Sequence, residues 1–142
     1  MNSVHSRIKN FKMVTSFFGK WPSFDDFEVV SMMFERIPDE QTSPNPVLTI
    51  KFFAFCWDVV AESKKRKDCL LTLRFGGLEN VKLDGFNHQN AINGFTVVAQ
   101  WSERLNREAL SVELIQGFGV GSTFDCGEIE VVSLNPATPH RL

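Results

Sequence analysis

The chain reads as a mainly β protein with antiparallel sheets, sandwich-like or strongly curved, and a short N-terminal helix. Three observations predict this. Apolar and polar residues alternate over most of the stretch 29–134, the period-two signature of half-buried strands. These runs are separated by clusters of Gly, Pro, Asn and Asp, which supply turns. The one run with helical spacing, Ile8, Phe11, Val14, Phe17 and Phe18, precedes all of them. At 142 residues the chain fits a single domain, 1–142, with enough apolar content for one core without disulfides or a structural metal. With 14 Phe, 3 Trp and no Tyr, the aromatic load is carried mostly by groups with no hydroxyl to satisfy, so it is read as packing.

The N-terminal helix is expected over 6–19, stopping at Gly19, after a loose tail, 1–5, whose His5 has no Cys or second His nearby to form a metal site. Trp21-Pro22-Ser23-Phe24-Asp25-Asp26-Phe27-Glu28-Val29 is a shaped turn entering a strand, because Pro22 disfavours helix before it and Ser23 and the aspartates can bond nearby backbone N–H groups. A bulky strand, 29–37, ends at Pro38, and 38–46 has the composition of an exposed connection. The stretch 47–58 is the longest strand candidate. Leu48, Ile50, Phe52, Ala54 and Cys56 alternate there against Thr49, Lys51, Phe53 and Phe55, and the apolar character of both phases predicts a central strand covered on each side. Lys64-Lys65-Arg66-Lys67 reads as a solvated loop between two strands. The runs 69–75 and 78–83, joined by Gly76-Gly77, read as a β-hairpin. One helical turn is expected over 87–93. Strands at 95–101 and 109–116 flank a charged loop, and Gly117, Gly119 and Gly121 supply a wide turn or bulge. The stretch 123–134 is read as one final strand with Phe124, Cys126, Ile129 and Val131 inward, followed by a frayed tail that includes His140.

A net charge of -2 gives no long-range attraction for nucleic-acid phosphate or anionic lipid, so neither a nucleic-acid nor a membrane partner is expected. No apolar stretch approaches a membrane span and the first residues lack the apolar core of a secretory signal, which makes the cytoplasm the expected location. Cys56, Cys69 and Cys126 form no CxxC pair, so reduced thiols are expected rather than a disulfide framework or a zinc site. No cofactor is expected.

Two polar clusters are the candidates for chemistry. Asp25, Asp26 and Glu28 place three carboxylates within four positions, a spacing that can bind a hard cation or supply an acid and a base, although turn capping at a solvated edge explains it more simply. Asn87, His88, Gln89 and Asn90 put four hydrogen-bonding side chains in a row after Gly85, in a stretch that fits a structural corner as well as a site. His88 is the single histidine in a structured setting, and among amides a hydrogen-bonded structural role is the plainer one. The glycine alternation at 117–121 has no helix N-terminus and no Lys-Ser/Thr pair after it, which removes a nucleotide-binding loop.

The turn Trp21 to Val29, then Leu73-Arg74-Phe75 and Leu83-Asp84-Gly85-Phe86-Asn87-His88-Gln89-Asn90, taken in that order, resembles immunity protein family 50 of bacterial polymorphic toxin systems. Gly117-Phe118-Gly119, Phe124-Asp125-Cys126 and Ile129-Glu130-Val131 are similar to that family's last strands, so the likeness covers 17–136. The family usually carries a His where this chain has Asp25 and a small residue where it has Phe27, and the missing base weakens an enzymatic reading of the turn. The resemblance implies a small, non-catalytic cytoplasmic protein that binds and neutralises a cognate toxin domain by occlusion. The cluster Asp25, Asp26, Glu28, Asn87, His88, Gln89 and Asn90 is the candidate contact surface, its carboxylates suited to a basic toxin. Three alternatives stay open: a small hydrolase using His88 with Asp26 or Glu28, a small-ligand or carbohydrate binder stacking on Trp21, Trp57 and Trp101 unless these are core residues, and a homodimer through a partly apolar outer face.

Overall fold

The computed structural model describes residues 4–37, 45–57 and 66–137. Its eight strands are β1 (Glu28–Ile37), β2 (Asn45–Trp57), β3 (Arg66–Gly76), β4 (Glu79–Asp84), β5 (Ile92–Ser102), β6 (Arg107–Gln116), β7 (Gly121–Cys126) and β8 (Glu128–Pro136). They form two four-stranded antiparallel sheets, in the orders β1-β2-β3-β8 and β4-β7-β6-β5. As the two apolar phases of its sequence predict, β2 is a central strand.

Alternation places the inward phase of each strand in a common core. Leu48, Ile50, Phe52 and Ala54 from β2 and Leu71, Leu73 and Phe75 from β3 are fully buried, and Val112, Leu114, Phe124, Ile129 and Val131 meet them. Phenylalanine provides the cross-sheet contacts. Phe24 packs on Phe95 with ring centroids 4.7 Å apart and edge-on to Phe52 at 5.4 Å, while Phe75 of one sheet meets Phe124 of the other at 5.0 Å. Such offset and edge arrangements favour the positive rim of one ring against the negative face of another. Two tryptophans are not core residues: Trp57 and Trp101 are exposed, at the ends of β2 and β5.

Two expected connections are corrected. Residues 69–83 are no hairpin, because β3 pairs with β2 and β8 whereas β4 pairs with β7 in the other sheet. Gly77 N–H and Leu78 N–H both donate to Pro46 O, at 3.0 and 3.1 Å, so the chain bends over the end of β2 instead of folding back on β3. The stretch 123–134 is likewise two strands in two sheets, broken at Gly127, whose N–H donates to Gly76 O at 2.8 Å. The two bends lie against each other, and the pair β3–β8 passes there into the pair β4–β7.

The N-terminal helix is shorter than its apolar spacing predicts. A 3-10 turn (Val4–Arg7) and α1 (Lys12–Phe18) are separated by Asn10 in the left-handed region, φ 65°. The break has a cause: Lys9 N–H donates to Ile129 O at 2.9 Å and Val131 N–H to Lys9 O at 2.8 Å, so the chain pairs briefly with β8 and buries Ile8. His5 is not in a loose tail either, since its ring stacks parallel on Trp21 with centroids 5.2 Å apart. The second half of the basic run is strand rather than loop, since Arg66 and Lys67 belong to β3. Arg66 lies over Phe55 at 4.8 Å and pairs with Asp68, and Lys67 Nζ donates to Phe17 O at 3.1 Å. Lys64, Lys65, most of the connection 38–46, the first three residues and the tail with His140 lie outside the described residues.

The cysteines are free thiols: Cys69 and Cys126 are buried and Cys56 is half-buried. Burial pushes Cys69 up to about 12, with the Asp68 carboxylate adding to the rise, and burial does the same to Cys126, helped by Asp125 and Glu128 and opposed by a backbone hydrogen bond. The unfolded chain ionises these thiols from near pH 8.5, whereas the folded chain holds them protonated. The stabilisation is therefore complete below that pH and is lost as pH rises from about 8.5 towards 12. Urea unfolding midpoints are expected to fall over this interval, and less steeply in a Cys69→Ala, Cys126→Ala variant.

Candidate functional site

The fold brings the two polar clusters together. The start of β1 bridges to the residue before β5, Glu28 to Ala91, which closes the sandwich at one corner. Asp26 N–H donates to Ile92 O at 2.8 Å, Ile92 N–H to Phe27 O at 3.0 Å and Val29 N–H to Asn90 O at 3.0 Å. This ladder is possible because Phe24 and Asp26 both take left-handed backbone, φ 67° and 65°, which swings the chain around while Phe24 and Phe27 enter the core. The large residue at position 27 is thus a core residue.

Asn90 is the hub. Its Oδ1 accepts Asn87 N–H at 2.8 Å and Val120 N–H at 3.2 Å, and its Nδ2 donates to Asn87 O at 2.7 Å. Its own N–H donates to Glu28 Oε1 at 3.1 Å. Asn90 is buried and Glu28 half-buried, so both act inside the corner. The expected helical turn over 87–93 does not form, because its backbone groups are engaged elsewhere: Asn87 O by Asn90 Nδ2, Asn90 O by Val29 N–H, Ala91 O by Phe118 N–H and Ile92 N–H by Phe27 O. Asp25, Asp26, Asn87, His88 and Gln89 are exposed around it. Asp25 N–H is capped by Ser23 Oγ at 3.3 Å, which is the turn-capping role expected of that serine.

The glycine loop, unassigned from the sequence beyond a turn, packs against this corner. Phe118 N–H donates to Ala91 O at 2.8 Å, and Gln116 Nε2 donates to Gly119 O at 2.6 Å. Gly85 and Gly119 have φ of 76° and 89°, and a Cβ on Gly85 would stand 2.5 Å from Gly119 O. Side chains are therefore excluded on both sides of that contact. The adjoining Phe86 and Phe118 are exposed instead. Sequence reasoning passed over them, although the pairing of glycine with phenylalanine in Gly85-Phe86 and Gly117-Phe118-Gly119 was the available signal.

Asn87 Oδ1 lies 2.9 Å from His88 Nδ1 and accepts His88 N–H at 2.7 Å, and among the described residues no hydrogen bond or ion pair joins His88 to Asp26 or Glu28. Among the described residues no group of three His, Cys, Asp or Glu side chains is placed to hold a metal ion. The tryptophans of the carbohydrate reading are dispersed, Trp57 on one sheet, Trp101 on the other and Trp21 half-buried under His5.

These features define a two-sheet antiparallel β domain with a hydrogen-bonded loop corner. The chain belongs to the family Immunity protein 50, whose sequence profile matches residues 10–137. Neither the curated proteins nor the solved structures yielded a match. Among the described residues no helix is long and apolar enough to cross a membrane.

Proposed function

We propose that this protein acts in the cytoplasm as a non-catalytic inhibitor, binding a cognate toxin domain and covering its active site or substrate path. The observation that carries the reading is membership of an immunity-protein family over residues 10–137. The corner agrees with it: polar side chains stand on a backbone already held by hydrogen bonds, so little ordering cost falls on association. Exposed Asp25 and Asp26 supply charge at the rim, where it raises association rate and selects partners. Glu28 and Asn90 support that surface from within.

The test is co-expression with the toxin domain encoded beside the gene, scoring rescue of growth and co-purification of a stoichiometric complex. Both are expected. His88→Ala is expected to retain rescue, with toxin affinity changed less than about tenfold, since an exposed rim residue contributes little to binding. Rescue without any complex, abolished by His88→Ala, would favour the hydrolase reading instead.

A further inference from the structure

We infer that Phe86 and Phe118 form the anchor by which this protein holds its partner, and that the partner presents an apolar recess rimmed by lysine or arginine. The inference rests on the toxin-binding reading and names the surface that performs it. The two rings are 51% and 66% exposed, in a chain whose other phenylalanines mostly line the core. They flank the touching backbones of Gly85 and Gly119, so both stand at the same end of the molecule. Their backbones are fixed before any partner arrives, one by Asn87 N–H on Asn90 Oδ1 and the other by Phe118 N–H on Ala91 O. Large aromatic groups on an ordered backbone are what binding hot spots are made of, because they bury much area and lose little freedom.

Charge identifies the occupant. The three segments that build the corner, 21–30, 83–93 and 114–122, contain Asp25, Asp26, Glu28 and Asp84 and no lysine or arginine; Lys20 and Lys82 flank them, and Lys82 shares a cleft with Asp84 and Glu113, so the corner as a whole is net acidic. Glu28 is engaged by Asn90 N–H, which leaves Asp25, Asp26 and Asp84 as exposed carboxylates on the segments of the corner. A second copy of the same corner would meet this field with like charge. A basic protein face meets it with the opposite charge, which accelerates encounter, and its apolar recess takes the rings.

The experiment measures affinity for the toxin domain encoded beside the gene, used in a catalytically inactivated form. Phe86→Ala and Phe118→Ala are each expected to weaken binding about thirtyfold, and the double variant a hundredfold or more, mainly through faster dissociation. The thermal midpoint should stay close to that of the parent, since the lost rings are at the surface. Asp25→Asn, Asp26→Asn and Asp84→Asn together should slow association about tenfold at low salt, with the difference closing as salt is raised. Trp101→Ala is the control. It removes an equally exposed ring about 30 Å from the corner along β5, and should leave affinity unchanged. A folded Phe86→Ala, Phe118→Ala protein that binds as tightly as its parent overturns the assignment while leaving the inhibitor reading intact. A parent protein that neither protects nor binds overturns both.

Discussion

Gly119→Ala is expected to lower stability by about 4 kcal/mol or more, and to lower the thermal midpoint by roughly 15 °C. Two independent effects combine. The backbone there has φ 89°, a conformation in which any Cβ is strained, at a cost of roughly 1–2 kcal/mol. The Cβ would also overlap the carbonyl oxygen of Gln89 and lie 2.5 Å from Asn90 Oδ1, so the glycine loop and the polar corner would have to move apart. Neither neighbour can yield alone, because Gln89 O is backbone and Asn90 Oδ1 is held by two N–H groups. Thermal unfolding followed by circular dichroism checks the size of the loss. Gly19→Ala is the reference: its φ is 83° but nothing stands within 4 Å of the added carbon, so it should show the backbone cost only. A pair of variants with equal losses would mean that contact at the corner contributes nothing.

Asn90→Ala is expected to cost about 3 kcal/mol, because removal of a buried hydrogen-bonding group leaves its partners unsatisfied at about 1–3 kcal/mol each. The most exacting partner is Val120 N–H, which is buried, while Asn87 N–H and O lie near enough to the surface for water to replace the amide in part. Asn90→Asp separates the roles of the two ends of the side chain. A carboxylate still accepts from Asn87 N–H and Val120 N–H but sets a second oxygen against Asn87 O, where the native Nδ2 donates at 2.7 Å. Burial and the facing carbonyl oxygen hold such a carboxyl above its ordinary range, so the loss should shrink as pH falls from 7 towards about 4, where protonation has restored a donor. Denaturant unfolding of both variants at pH 7 and pH 4 gives the comparison, and indifference of the Asp variant to pH would place the amide's importance in its acceptor alone.

Strand positions were legible because alternation survives in each strand separately: Leu48, Ile50, Phe52 and Ala54 announce β2, and Leu110, Val112 and Leu114 announce β6. Sheet membership was not. Gly76-Gly77 looks in sequence like a hairpin turn, yet the decisive bonds run to Pro46, a residue distant in the chain. Gly127 marks the other change of sheet, and there the sequence does carry a trace, since the inward residues are even-numbered before it, Phe124 and Cys126, and odd-numbered after it, Ile129 and Val131. The polar residues of the corner could be picked out individually, but their meeting could not, because the bond from Asn90 N–H to Glu28 spans 62 positions. The division of labour was also hidden. Whether an Asn faces inward or outward in a loop depends on which backbone groups surround it, and local composition does not state that.

The pairing of Lys9 with Ile129 and Val131 joins the segment between the 3-10 turn and α1 to β8, and β8 supplies the second neighbour of β3. During synthesis, then, the first sheet is left with one bare edge and the N-terminal segment with no seat until β8 has left the ribosome. Domains complete their folding as units, so a nascent or prematurely terminated chain offers an open template for mispairing rather than a weaker version of the finished protein.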